Sequence, residues 1–202
     1  MPTTKTFSQQ VARFFEAAED QVGKHAGFLI AWVVLLWAIE IIDFITPWDF
    51  DQMLGLKPWN LASLPVGIVC SPFLHGSFGH LASNTLSLIV LAWLVIIAGW
   101  RQFWVTTVAV VLGSGLGVWL LGAPGSVHIG ASGLVFGYLG FLMSHGIWRR
   151  SVIWIVVAII VGAVYGSMIW GVLPNRSGIS WQGHLFGLVA GFWSAWAQRR
   201  RG

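Results

Sequence analysis

The chain has 202 residues, of which 56% are hydrophobic and 9% charged. A soluble globular domain carries about 25% charged residues, so this composition, with a mean hydropathy of +0.77, excludes an ordinary water-soluble fold. The formal net charge is +4, but Lys and Arg stand in small groups at the ends of apolar stretches, which excludes a nucleic-acid-binding face and fits a membrane protein.

Each spanning helix needs about 20 mostly apolar residues, so six would use about 120 of the chain. One domain is expected, with no separate soluble unit. Residues 1–26 are polar and mixed in charge, unlike a secretory leader. Phe14, Phe15, Ala18 and Val22 recur near helical spacing there, which predicts a short amphipathic cytoplasmic helix on the membrane surface.

The first span is predicted at 27–45, stopped by Thr46-Pro47. The stretch from Pro47 to Ser77 is apolar yet contains four prolines, including Pro58, Pro65 and Pro72. It is therefore expected to lie partly in the interface as broken structure. Further spans are predicted at 78–98, 101–121, 132–148, 151–172 and 181–197. The domain layout is an N-terminal segment (1–26), a six-span unit (27–198) and a basic cytoplasmic tail (199–202). The fold class is all-α, a polytopic six-transmembrane-helix bundle. Cys70 is the only cysteine, which rules out an internal disulfide.

Orientation follows from the basic residues. With the N-terminus inside, the inner segments hold Lys5, Arg13, Lys24, Arg101, Arg149, Arg150 and Arg199 to Arg201. The outer segments hold only Lys57 and Arg176. Both termini are expected to be cytoplasmic. Spans two, four and six then begin at the outer face, and each begins with polar residues. Span two carries His75, His80, Ser83 and Asn84 near its start, span four Gly130-Ala131-Ser132-Gly133, and span six Gly183-His184.

Polar groups inside a membrane are costly and mark function. Three such groups at one depth suit a Ser-His nucleophilic site. Ser132 needs an adjacent base, and His184 is the candidate; a neutral imidazole is the required form, which an apolar site favours. His80, four residues from Asn84, shares its helix face. His80, Asn84 and the Ser132 N–H are candidate donors to an oxyanion. Phe136, one turn after Ser132, is placed to pack on His184. Gly130 and Gly133 leave room near the serine. Gly183, Gly187 and Gly191, with Gly133 and Gly137, have the four-residue spacing that lets helices approach closely.

No third triad member is evident. Glu40 and Asp43 lie three apart at the end of span one, with nothing aiming either at His184. His25, His128 and His145 are read as outside the chemistry. The six histidines offer no HExxH pair and no completing carboxylate, so no metal and no cofactor are expected. A proton-relay transporter using His80 and His184 is the remaining chemical alternative, and the sequence has no internal repeat to favour it.

At these residues the chain resembles the rhomboid intramembrane serine proteases. The matching motifs are Gly130-Ala131-Ser132-Gly133, His75-x4-His80-x3-Asn84 and Gly183-His184-x2-Gly187-x3-Gly191, in the family's order. The resemblance implies a six-helix fold with Ser132 as nucleophile, His184 as base, and His80 and Asn84 assisting the oxyanion. It implies single-span membrane proteins as substrates. Phe136 stands where many relatives have tyrosine, and the first loop lacks the family's Trp-Arg pair. A rhomboid-like protein that binds clients without cutting them is the runner-up reading.

Overall fold

A computed structural model describes residues 6–174 and 178–199. Lys5, Arg176, Arg200 and Arg201, which entered the orientation argument, lie outside the described residues, as does most of the basic tail. The described chain is helical, with a single isolated antiparallel bridge between Leu56 and His128.

Helix α1 runs from Phe7 to Ile45. At 1.5 Å per residue, its 39 residues extend about 58 Å, against roughly 30 Å of bilayer core. The helix expected over the first segment is present, but it continues into the first span, so residue 26 marks no structural boundary. Gly23 and Gly27 fall at the join, and an exposed helical glycine costs only about 1 kcal/mol; no proline intervenes. The N-terminal half also packs on protein. Gln10 Oε1 accepts a hydrogen bond from Ser151 Oγ at 3.0 Å, Phe14 meets the edge of Trp154, and His25 stacks on Trp100 at 3.9 Å.

The proline-rich connection breaks as its sequence predicts. It forms α2 (Phe50–Leu54), α3 (Leu64–Cys70) and a 3-10 turn over Ser71–Phe73. Pro65 and Pro72 open α3 and the 3-10 turn, where a missing N–H costs nothing. Asp43 does not reach the bundle interior chemistry. Its carboxylate accepts the Phe50 N–H at 2.7 Å and so turns the chain out of α1. Leu56 and Ile68 bury against Val118, seating this connection on the bundle.

The remaining helices are α4 (Phe78–Ala98), α5 (Trp100–Leu121), α6 (Ser132–Arg149), α7 (Val152–Tyr165) and α8 (Trp181–Ala197). Helix α7 tightens into a 3-10 segment, Gly166–Val172. Among the described residues, four stretches are long and apolar enough to cross a membrane: α1, α4, α5, and α7 with its 3-10 tail. Helices α6 and α8 are shorter and richer in glycine. Burial explains the difference. Twelve residues of α6 are buried, so it faces neighbouring helices and need not be uniformly apolar.

The α6–α8 contact is the closest in the bundle. A Cβ on Gly187 would run into the Gly133 carbonyl, and one on Gly191 into the Gly137 carbonyl. Gly140 lies equally tight against the Leu188 carbonyl. The glycine spacing therefore brings two backbones together, as small-residue interfaces do. Helix α5 joins the same core, since Gly117 lies under the Phe186 ring and Gly113 against Ala190. Hydroxyls add interhelical bonds, Thr107 with Tyr138 at 2.7 Å and Thr106 with Ser194 at 2.9 Å.

Candidate active site

The loop between α5 and α6 delivers Ser132. Gly130 has φ +111°, a region costly for any residue with a side chain. A Cβ there would also stand 2.9 Å from His80 Cε1. Its N–H donates to the Ser71 carbonyl at 2.9 Å, tying the loop to the 3-10 turn of the first connection. The following Ala131 N–H donates to His75 Nε2 at 3.4 Å. His75 is 2% exposed, and burial, helped by the neighbouring His80, pulls its pKa down to about 4. The neutral imidazole that accepts this bond is thereby favoured. Ser132 follows as the first residue of α6, where backbone N–H groups have no partner inside the helix.

Helix α8 delivers His184 at its fourth residue. His184 Nε2 lies 2.8 Å from Ser132 Oγ, and Nδ1 lies 2.9 Å from the Gly171 carbonyl. A carbonyl only accepts, so Nδ1 carries the proton and Nε2 is left to accept from the Ser132 hydroxyl. Phe136 stacks on the imidazole with centroids 4.1 Å apart and planes 8° apart. The ring is thus held by a hydrogen bond on one nitrogen and a flat contact on its face.

Gly171 was not legible as a site residue. The sequence places it inside a continuous fifth span, whereas the chain tightens to 3-10 before it. The last carbonyls of a helix lack intrahelical partners, and one of them serves His184. A Cβ on Gly171 would stand 3.0 Å from Phe136 Cζ and 3.1 Å from His184 Nδ1, so a glycine lets both rings come this close. Glu40 is buried but, like Asp43, is no partner of His184.

His80 and Asn84 flank the same loop from α4. The His80 ring meets His75 edge-on at 5.2 Å. Asn84 is 7% exposed, and its Nδ2 has no hydrogen-bond partner among the described residues. That amide lies 3.8 Å from where a Gly130 Cβ would be. Buried donors are nearly always paired, so an unpaired amide beside Ser132's loop calls for an explanation. Gly133 and Gly183 also border a cavity of about 30 Å³ beside Ser132, walled by Ser71, Ser114 and Ser180.

Two other histidines are placed differently. His145 stacks on Phe141 and meets Trp154. His128, read as outside the chemistry, is half-buried and bonded to Ser126 and Ser180. No cluster of metal-ligating side chains occurs among the described residues.

Fold and site together define an all-helical membrane protein with a serine–histidine pair at one end of its bundle. The Rhomboid domain model matches residues 62–201, and the chain belongs to the rhomboid family. An uncharacterised protein of Mycobacterium tuberculosis is 40% identical over 177 residues, covering 83% of this chain and 72% of its own length. A putative rhomboid protease of Bacillus subtilis is 29% identical over 169 residues, 79% of this chain and 74% of its own. A putative rhomboid protein of Acanthamoeba polyphaga mimivirus is 26% identical over 173 residues, 81% and 86% respectively.

Proposed function

We propose that this protein is an intramembrane serine endopeptidase that cuts single-span membrane proteins in or near the bilayer. The observation that carries the reading is the 2.8 Å contact from His184 Nε2 to Ser132 Oγ, with the other ring nitrogen held by the Gly171 carbonyl. In this arrangement His184 takes the hydroxyl proton as Ser132 Oγ attacks the scissile carbonyl. It then returns the proton to the leaving amine, and water releases the acyl-enzyme by the same route in reverse. Gly171 takes the orienting role that a carboxylate has in a triad.

The oxyanion needs donors aimed where charge develops. The unpaired Asn84 amide, His80 and the free N–H groups opening α6 are the candidates. The positive end of the α6 dipole points the same way. Asn84→Ala is expected to lower kcat by about 100-fold or more, with KM little changed. A loss confined to KM, measured on a single-span substrate, would assign Asn84 to substrate binding instead.

In this reading the chain spans the bilayer six times with both termini cytoplasmic. The active site opens toward the outer face, where substrates meet it through the lipid. Lys57→Cys, in a Cys70→Ala background, is expected to react with an impermeant maleimide added outside intact cells. Labelling only after permeabilisation would reverse the orientation.

The test of activity is incubation of the purified protein with a serine-reactive fluorophosphonate and a single-span substrate. Labelling and cleavage that both vanish in Ser132→Ala support the protease. An unlabelled wild type would point to a client-binding rhomboid-like protein.

A further inference from the structure

His128 belongs to the loop leading into Ser132, and its imidazole bridges two hydroxyls. Nε2 lies 2.9 Å from Ser126 Oγ, and Nδ1 lies 2.7 Å from Ser180 Oγ. The Ser126 hydroxyl already donates to the Ala123 carbonyl at 2.6 Å. Ser126 must therefore accept from His128, so Nε2 carries the proton. Nδ1 is then the acceptor and Ser180 the donor. Burial pushes the His128 pKa below its ordinary value, consistent with this neutral form.

Both ends of the bridge are anchored. The His128 backbone exchanges two hydrogen bonds with Leu56, at 3.0 and 2.9 Å. Ser180 precedes α8 directly, and its carbonyl accepts the His184 N–H at 3.1 Å. His128 stands four residues before Ser132, and Ser180 four before His184. The hydrogen bond between them thus ties the approach to the nucleophile to the approach to the base.

The Ser180 rotamer supplies a second argument. A serine at a helix N-cap ordinarily accepts an N–H of the first turn, worth about 1 kcal/mol. Ser180 occupies that position and makes no such cap. Its hydroxyl, which lies beside Gly183 of the first turn, is bonded to His128 instead.

We propose that His128 is a positioning residue, whose hydrogen bond to Ser180 holds the starts of α6 and α8 at the separation the Ser132–His184 contact requires. His128 touches neither member of the pair and acts through Ser180. The inference rests on the proteolytic reading of that pair.

The test is the rate of fluorophosphonate labelling of the full chain, with kcat and KM on a single-span substrate. His128→Leu and Ser180→Ala are each expected to slow labelling and lower kcat by about ten- to a hundredfold, the scale on which misplacement of reacting groups acts. KM should stay unchanged, and the double variant should be no slower than either single one. His128→Asn keeps an oxygen near the Nδ1 position and should recover most of the rate. His128→Gln keeps a group only near Nε2 and should not. A merely structural role would lower the fraction of protein that labels at the end point and leave the rate of that fraction alone. Wild-type rates in His128→Leu, additive losses, or Gln rescuing as well as Asn would overturn the proposal while leaving the protease intact. A wild-type protein that does not label would overturn both.

Discussion

Ser132→Ala is expected to reduce kcat for a single-span substrate by on the order of 10⁶, as loss of a serine nucleophile does where base and nucleophile act as one unit. His184→Asn should cost nearly as much, and the double substitution no more than the worse single one. The contact geometry underlies this. The Ser132 hydroxyl has His184 Nε2 as its partner at 2.8 Å, and the ring has no second position open to it. The Gly171 carbonyl holds one nitrogen and Phe136 covers a face. Removing either partner therefore leaves the other without a function. The measurement is single-turnover cleavage in detergent beside fluorophosphonate labelling. Residual cleavage in Ser132→Ala within tenfold of wild type would remove the serine from the mechanism. A thermal midpoint close to wild type in Ser132→Ala would show that the loss is chemical, since the change deletes one hydroxyl.

The second large effect concerns folding. Gly191→Val is expected to destabilise the bundle by about 3 kcal/mol or more, at or above the top of the usual overpacking range. The obstacle is backbone, the Gly137 carbonyl of α6, so no side chain can rotate aside. Helices α6 and α8 would have to separate, and that separation also lengthens the Ser132–His184 contact. Loss of activity should therefore accompany the drop in unfolding midpoint. Gly162→Ala is the matched control: a Cβ there meets only Met143 Cε at 4.0 Å. If Gly191→Val melted like Gly162→Ala, the close approach would have no energetic weight.

Much of this was legible in the sequence because a bilayer imposes strict rules on it. Spans must be apolar over about 20 residues, so helix α4 begins and ends where hydropathy places it. Inward polar groups are costly and so conspicuous. Ser132, His184, His80 and Asn84 stood out for that reason, and the structure gathers them at one end of the bundle. Phe136 followed from helical spacing alone. The small-residue series was visible too, though spacing names no partner; the pairing of Gly187 with Gly133 and Gly191 with Gly137 is a product of packing.

What escaped the sequence shares a physical cause. Every residue has a carbonyl, so the one at Gly171 that orients His184 carries no side-chain signal, and only the 3-10 tail of α7 brings it there. His128 appeared idle because Ser180, its partner, lies 52 positions away across two helices. The boundary drawn at residue 26 vanished because hydropathy changes there while helical backbone does not. The sequence by itself determined which residues had to be helical, apolar and chemically costly. The tertiary structure alone decided which backbone groups and distant hydroxyls serve them, since such contacts depend on approach between segments and leave no pattern along one chain.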